Sequence, residues 1–232
     1  MDYREILTRL YQSLYAHYGP QGWWPGETPF EIMVGAILTQ NTNWQNVERA
    51  IANLKTARML DPHRLFRISD ARLAQLIRPA GYFNVKAKRL KALIRWLVRL
   101  HEGKVEKALA GDLNQVRAEL LAIPGVGPET ADSILLYAGN RPTFVVDAYT
   151  RRILARHGLI QQEAAYEAIK ALFERSLPAE ASLFNEYHAL LVRLGKEHCR
   201  PQPRCTDCPA RTVFAAAGNQ APNRTADEVC HG

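Results

Sequence analysis

The stretch Leu120–Arg152, LLAIPGVGPETADSILLYAGNRPTFVVDAYTRR, limits what this chain can fold into more than any other. Two helical patterns meet there across a tight glycine hairpin, Ile123-Pro124-Gly125-Val126-Gly127. Leu120 and Ile123 close the first helix, and Pro128 suits the first turn of the second, where its missing N–H is not needed. Ala131, Ile134, Leu135 and Ala138 recur at i, i+3, i+4 and i+7, an apolar stripe along that second helix. Glycines at 125 and 127 tolerate positive φ and leave bare N–H groups at a helix start. Such N–H groups and the helix dipole suit an anion, with a phosphate the obvious candidate. A ligand-free αα-hairpin fits the same pattern. Beyond it, Thr143–Val146 is a short extended apolar run, and Asp147 directly precedes the helical pattern of Tyr149, Ile153 and Leu154. An Asp in that place is ordinarily an N-cap.

The rest of the chain is helical by periodicity. Ile6, Leu7, Leu10 and Leu14 share one face of a helix over Tyr3–Tyr18, and the turn formers GPQGWWPGETP break it. Phe30–Leu38 is a mostly apolar helix interrupted by the polar Thr39-Gln40-Asn41-Thr42, and Thr42 is a candidate cap for the next helix. A helix from Asp70 to Ile77 leads to a long one ending at His101. This one is expected to bury Leu90, Leu93, Ile94, Leu97 and Leu100 and to expose Lys86, Lys88, Arg89, Lys91, Arg95 and Arg99. Two more helices follow near Glu163–Arg175 and Leu183–Glu197, and no strand pattern of any length appears. The fold class is all-α.

The hairpin, its Gly/Pro loop and Asp147 together resemble the signature of the endonuclease III superfamily of helix-hairpin-helix DNA glycosylases, over roughly residues 5–210. The resemblance implies two helical lobes with the DNA site in a central cleft. One is a six-helix barrel at 22–140, and the other joins 1–21 to 141–213. The tail, 214–232, is small and polar and is expected to be poorly ordered. The hairpin, with Gly125, Val126, Gly127, Glu129 and Thr130, would grip the DNA backbone, and Asp147 would be catalytic. A carboxylate there stabilises the oxocarbenium character that the sugar acquires as the base leaves, and orients or deprotonates the attacking water. Bifunctional members carry an imine-forming Lys in GVGxKTA. This chain reads GVGPETA, with Glu129 at that position, which removes that route to strand cleavage and implies a monofunctional glycosylase without lyase activity.

The aromatic residues point to the base pocket. Trp23, Trp24 and Pro25 followed by TQNTxW, with Trp44, resemble the 3-methyladenine glycosylase branch, where the residues matching Trp23 and Trp44 stack on the flipped base. Trp96 reads as core. An alkylated purine is cationic, and aromatic faces attract a cation by about 0.5–2 kcal/mol. Uracil or a mismatched thymine is the competing substrate, an endonuclease III-type glycosylase/lyase the competing enzyme, and a non-catalytic helix-hairpin-helix module the competing binding protein. Gln40 and Tyr82 occupy the family's two wedge positions, and Lys86 with the basic face behind it would contact phosphates. An ordinary solvated stripe would look the same.

Cys199, Cys205 and Cys208 resemble the start of the superfamily's [4Fe–4S] loop. The fourth Cys of that loop, expected about six residues further on, is missing. Cys230 could supply it only if the tail folds back, with His231 and His198 as lesser substitutes, and a decayed cluster loop would read alike. The formal net charge of +7 over 232 residues favours an anionic partner. No run approaches a membrane span. The expected partner is double-stranded DNA with damaged bases, bound by a monomer in the cytoplasm, associated with the nucleoid.

Overall fold

The computed structural model describes residues 2–216, and every regular element among them is helical. The expected behaviour of the tail and the place of Cys230 and His231 lie outside these residues. Among the described residues no helix is long and apolar enough to cross a membrane. The chain divides into two compact units. One is Trp24–Arg141, and the other takes up the described residues on either side of it.

The Trp24–Arg141 unit is built around α2 (Pro29–Leu38), buried on every side from Phe30 onward. Its start is fixed twice: Pro29 needs no N–H partner, and the Thr28 hydroxyl accepts from Glu31 N at 3.1 Å. Next, α3 (Trp44–Thr56) is capped by Asn43, which accepts from Asn46 N at 3.0 Å. The expected cap, Thr42, instead accepts from the Asn46 side-chain amide at 3.1 Å, because the turn puts Asn43 at the last extended position. Short helices α4 (Pro62–Arg67) and α5 (Asp70–Leu76), capped by Asp61 and Ser69, lead through a 3₁₀ turn at Arg78–Ala80 to α6 (Phe83–His101). After α7 (Val105–Ala108) and α8 (Leu113–Leu121), the unit closes with α9 (Pro128–Ser133) and a π turn at Ile134–Ala138. Met33, Ile37, Leu54, Leu90, Ile94 and Leu135 are fully buried in its core, each worth about 1.5–3 kcal/mol.

Three expectations for α6 are overturned. Leu100 is 62% exposed, in the last turn. Lys86 is buried, its ammonium donating to Leu38 O at 2.8 Å and Ala80 O at 2.7 Å. Lys91 is buried too, donating to the carbonyls of Leu65, Phe66 and Ile68 at 3.0, 2.8 and 2.7 Å. Both lysines satisfy carbonyls that a helix end leaves orphaned. Lys86 is therefore a cap for α2 and the 3₁₀ turn and has no surface to offer a phosphate.

In the second unit, α1 (Tyr3–Tyr18), α10 (Ala148–Arg156), α11 (Tyr166–Ser176), α12 (Ala181–Glu197) and α13 (Arg211–Ala216) pack around Leu7, Leu10, Phe144, Phe173 and Tyr187. The extended run before Asp147 is pinned from two sides. Phe144 stacks on Phe173 at 3.8 Å, and its backbone N donates to Glu174 Oε1 at 2.9 Å. Helices α10 and α12 approach closely at Gly195, where an added Cβ would lie 2.4 Å from Tyr149 Cδ1.

Candidate DNA-repair site

Of the two hairpin glycines only Gly125 uses positive φ, and Gly127 is extended at φ −96°. Gly125 has φ +89°, and the stem of Arg89 lies against it so closely that a Cβ would come within 2.3 Å of Arg89 Cγ. Gly127 is the N-cap of α9, with Pro128 in the first turn. Val126 is buried under the loop, and Glu129 is exposed. Gln40 ties the hairpin to α6 through the two ends of its amide. Its nitrogen donates to Gly125 O at 3.1 Å and to Thr130 Oγ1 at 2.9 Å, and its oxygen accepts from Arg89 Nη1 at 2.6 Å. Tyr82, by contrast, stands 71% exposed at the entrance to α6 in the left-handed region, φ +44°. A bulky residue held there is strained.

Trp44 and Trp24 meet edge to face, centroids 5.1 Å apart at 90°, and Trp24 also contacts Tyr137 at 5.0 Å. The indole of Trp24 covers Gly35, where a Cβ would sit 3.4 Å from Nε1. Trp44 donates to Glu48 Oε1 at 2.7 Å, a turn along its own helix. Both tryptophans are half-buried, and Pro25 beside them is exposed. Within this unit the ring that Trp44 meets is Trp24. Trp23 belongs to the other unit, where Lys196 lies over it at 5.9 Å. Tyr137 was not foreseen. The π turn that carries it inserts an extra residue per turn, so a 3.6-residue stripe drawn through Ile134, Leu135 and Ala138 passes it by.

Asp147 is the N-cap of α10, Oδ1 accepting from Thr150 N at 2.7 Å. Its other oxygen lies 3.6 Å from Nε2 of His188, a buried residue of α12. Burial works against the charged carboxyl, but His188 and the Thr150 N–H outweigh it, and the Asp147 pKa is held below its ordinary value. His188 was also missed, although it lies on the buried stripe of Phe184, Tyr187, Leu191 and Leu194.

Cys199, Cys205 and Cys208 line one recess with Arg156, His157, His198, Pro203 and Arg204. No three His, Cys, Asp or Glu side chains among the described residues converge on a single metal ion. The recess is cationic: Arg156 Nη1 lies 3.4 Å from Cys199 Sγ. Arg152 and Arg156 also donate to the carbonyls of Cys199, Gly195, Arg200 and Pro201.

Residues 34–179 match the HhH-GPD model, described as the superfamily of base excision DNA repair proteins. The chain belongs to that superfamily. Among its relatives is the Methanocaldococcus jannaschii protein named "Putative DNA repair glycosylase MJ1434", 49% identical over 89% of this chain and 94% of that one. Endonuclease III of Thermotoga maritima is 30% identical over 78% of this chain and 79% of its own. The crystal structure of the H. pylori 3-methyladenine DNA glycosylase (MagIII) bound to 1,N6-ethenoadenine superposes with a TM-score of 0.71 at 29% identity, covering 85% of this chain and 98% of that one. As a member of the HhH-GPD superfamily, which includes endonuclease III, this protein is an all-α DNA base-excision repair glycosylase that acts on DNA. The helix-hairpin-helix is thus the Gly125–Gly127 turn between α8 and α9.

Proposed function

We propose that this glycosylase is monofunctional and releases alkylated purines, 3-methyladenine foremost, from damaged duplex DNA, acting as a monomer. The observation that carries the substrate is the Trp24–Trp44–Tyr137 group with Glu48 hydrogen-bonded to the Trp44 indole. Electron-rich faces beside a carboxylate suit a cationic base better than a neutral pyrimidine. Such a base is already a good leaving group, so Asp147 need only stabilise the sugar cation and orient water, which its lowered pKa equips it to do. Glu129 supports the absence of lyase chemistry, since a carboxylate forms no imine. Tyr82, exposed and strained, is the better placed of the two wedge candidates. Gln40 must first give up its three hydrogen bonds.

The cysteine recess supports an iron–sulfur cluster in the kind of its donors: the free thiols of Cys199 and Cys208 lie beside guanidinium groups that suit an anionic centre, and Cys205, disulfide-bonded here, would join them once reduced. Cys199, Cys205 and Cys208 would hold it, and the fourth ligand lies beyond these three. Its contribution is structural, bracing this loop. Anaerobically prepared protein should then be brown and contain about four irons per chain. A colourless, iron-free preparation overturns the cluster.

The substrate is tested by incubating the protein with methylated DNA and, separately, with a uracil-containing duplex, each followed by borohydride. Free 3-methyladenine and no trapped covalent complex are expected. Uracil release alone, or a strong trapped band, overturns the reading.

A further inference from the structure

We infer that His188 is a positioning residue for Asp147, fixing the one carboxylate oxygen that the helix cap leaves loose. The inference rests on the reading of Asp147 as the catalytic carboxylate. Capping accounts for Oδ1, held by Thr150 N at 2.7 Å, and any N-cap Asp would show that bond. It does not account for Oδ2, which meets a buried imidazole 3.6 Å away, with only 7% of the His188 side chain exposed. At that separation the contact is longer than a direct hydrogen bond. His188 lies on the buried face of α12 that also carries Phe184, Tyr187 and Leu191, a costly place for a polar ring.

The geometry is also fixed from outside. Helices α10 and α12 are locked at Gly195 and Tyr149, and Arg152 of α10 donates to Gly195 O of α12 at 3.2 Å. The carboxylate and the imidazole therefore ride on two helices that are bound to each other. Held this way, Asp147 keeps its charge and its direction while buried.

The test compares His188→Phe and His188→Gln with the wild type. Three quantities are read: single-turnover release of 3-methyladenine, affinity for a duplex carrying a tetrahydrofuran abasic analogue, and the titration midpoint of the Asp147 carboxyl carbon by NMR. His188→Phe should lower the release rate by up to about a hundredfold, leave affinity within a few fold, and raise the Asp147 midpoint. His188→Gln, whose amide can still donate, should recover most of the rate. Wild-type release and an unchanged midpoint in His188→Phe overturn the inference. If His188→Phe does not fold, the ring-nitrogen shifts of His188 in wild type and Asp147→Asn decide instead, and identical shifts overturn the inference. The underlying reading fails separately: an Asp147→Asn variant with full activity removes the catalytic carboxylate, and this inference with it.

Discussion

Lys86 and Asp147 are both charged, both enclosed, and each sits at a helix terminus, but they are held in opposite ways. The Lys86 ammonium meets two backbone carbonyls at 2.7–2.8 Å. Asp147 has one short bond to its own helix and one longer approach from a titratable ring. A buried charge with close, fixed backbone partners is scaffold, since nothing there is left to react. A buried charge with one oxygen loosely engaged is poised for chemistry, and keeping it so costs the fold stability.

Asp147→Asn is the severest way to break this contrast. It should cut base release by about a thousandfold while DNA affinity stays within a few fold, since charge is lost and shape kept. Single-turnover assays and a binding titration check this, and near-normal release would put Asp147 with Lys86 as scaffold. Lys86→Met should do the reverse: about 2–3 kcal/mol of folding stability is lost, because two buried carbonyls lose their donor, yet release per folded molecule is unchanged. The pH dependence of the difference is also fixed in sign. Burial, aided by Arg89, lowers the folded Lys86 pKa to about 8 from 10.5. Between those values the unfolded chain holds more protons, so wild-type stability should rise with pH there relative to the variant. Denaturant melts at pH 8 and pH 10 that show a constant difference would contradict it.

Two smaller effects sharpen the comparison within the Trp24–Arg141 unit. Trp44→Ala should slow 3-methyladenine release roughly ten- to a hundredfold with little change in melting temperature, as expected for ~1–3 kcal/mol of lost stacking. A large drop in stability with normal release would make Trp44 core. Gly125→Ala should weaken duplex affinity only several fold, through about 1–2 kcal/mol of strain at positive φ and displacement of Arg89 from Gln40. Unchanged affinity across a salt titration would detach the hairpin from DNA binding.

Most of the fold is legible in the sequence because helical stripes and caps agree with each other. Tyr3–Tyr18 is read to the residue, and Pro128 and Asp147 occupy the first turn and the cap they suggest. The misreadings share a cause. Lys86 stands four residues before Leu90 on an apolar stripe, where position outweighs polarity, and His188, four after Phe184, lies in the same kind of place. Tyr137 needed a different remedy, since its register depends on a π turn that no sequence period announces.

The guanidinium groups of Arg152 and Arg156 carry a consequence for how such a chain ages. They fasten the cysteine-bearing segment chiefly through its backbone oxygens, which any residue supplies, and at Cys199 through a sulfur as well. The segment has a moorage that owes nothing to iron. A lineage in which one thiol after another drifted to serine would keep this loop docked on α10, the helix that Asp147 caps, and selection could relax on the sulfurs long before it relaxed on the arginines.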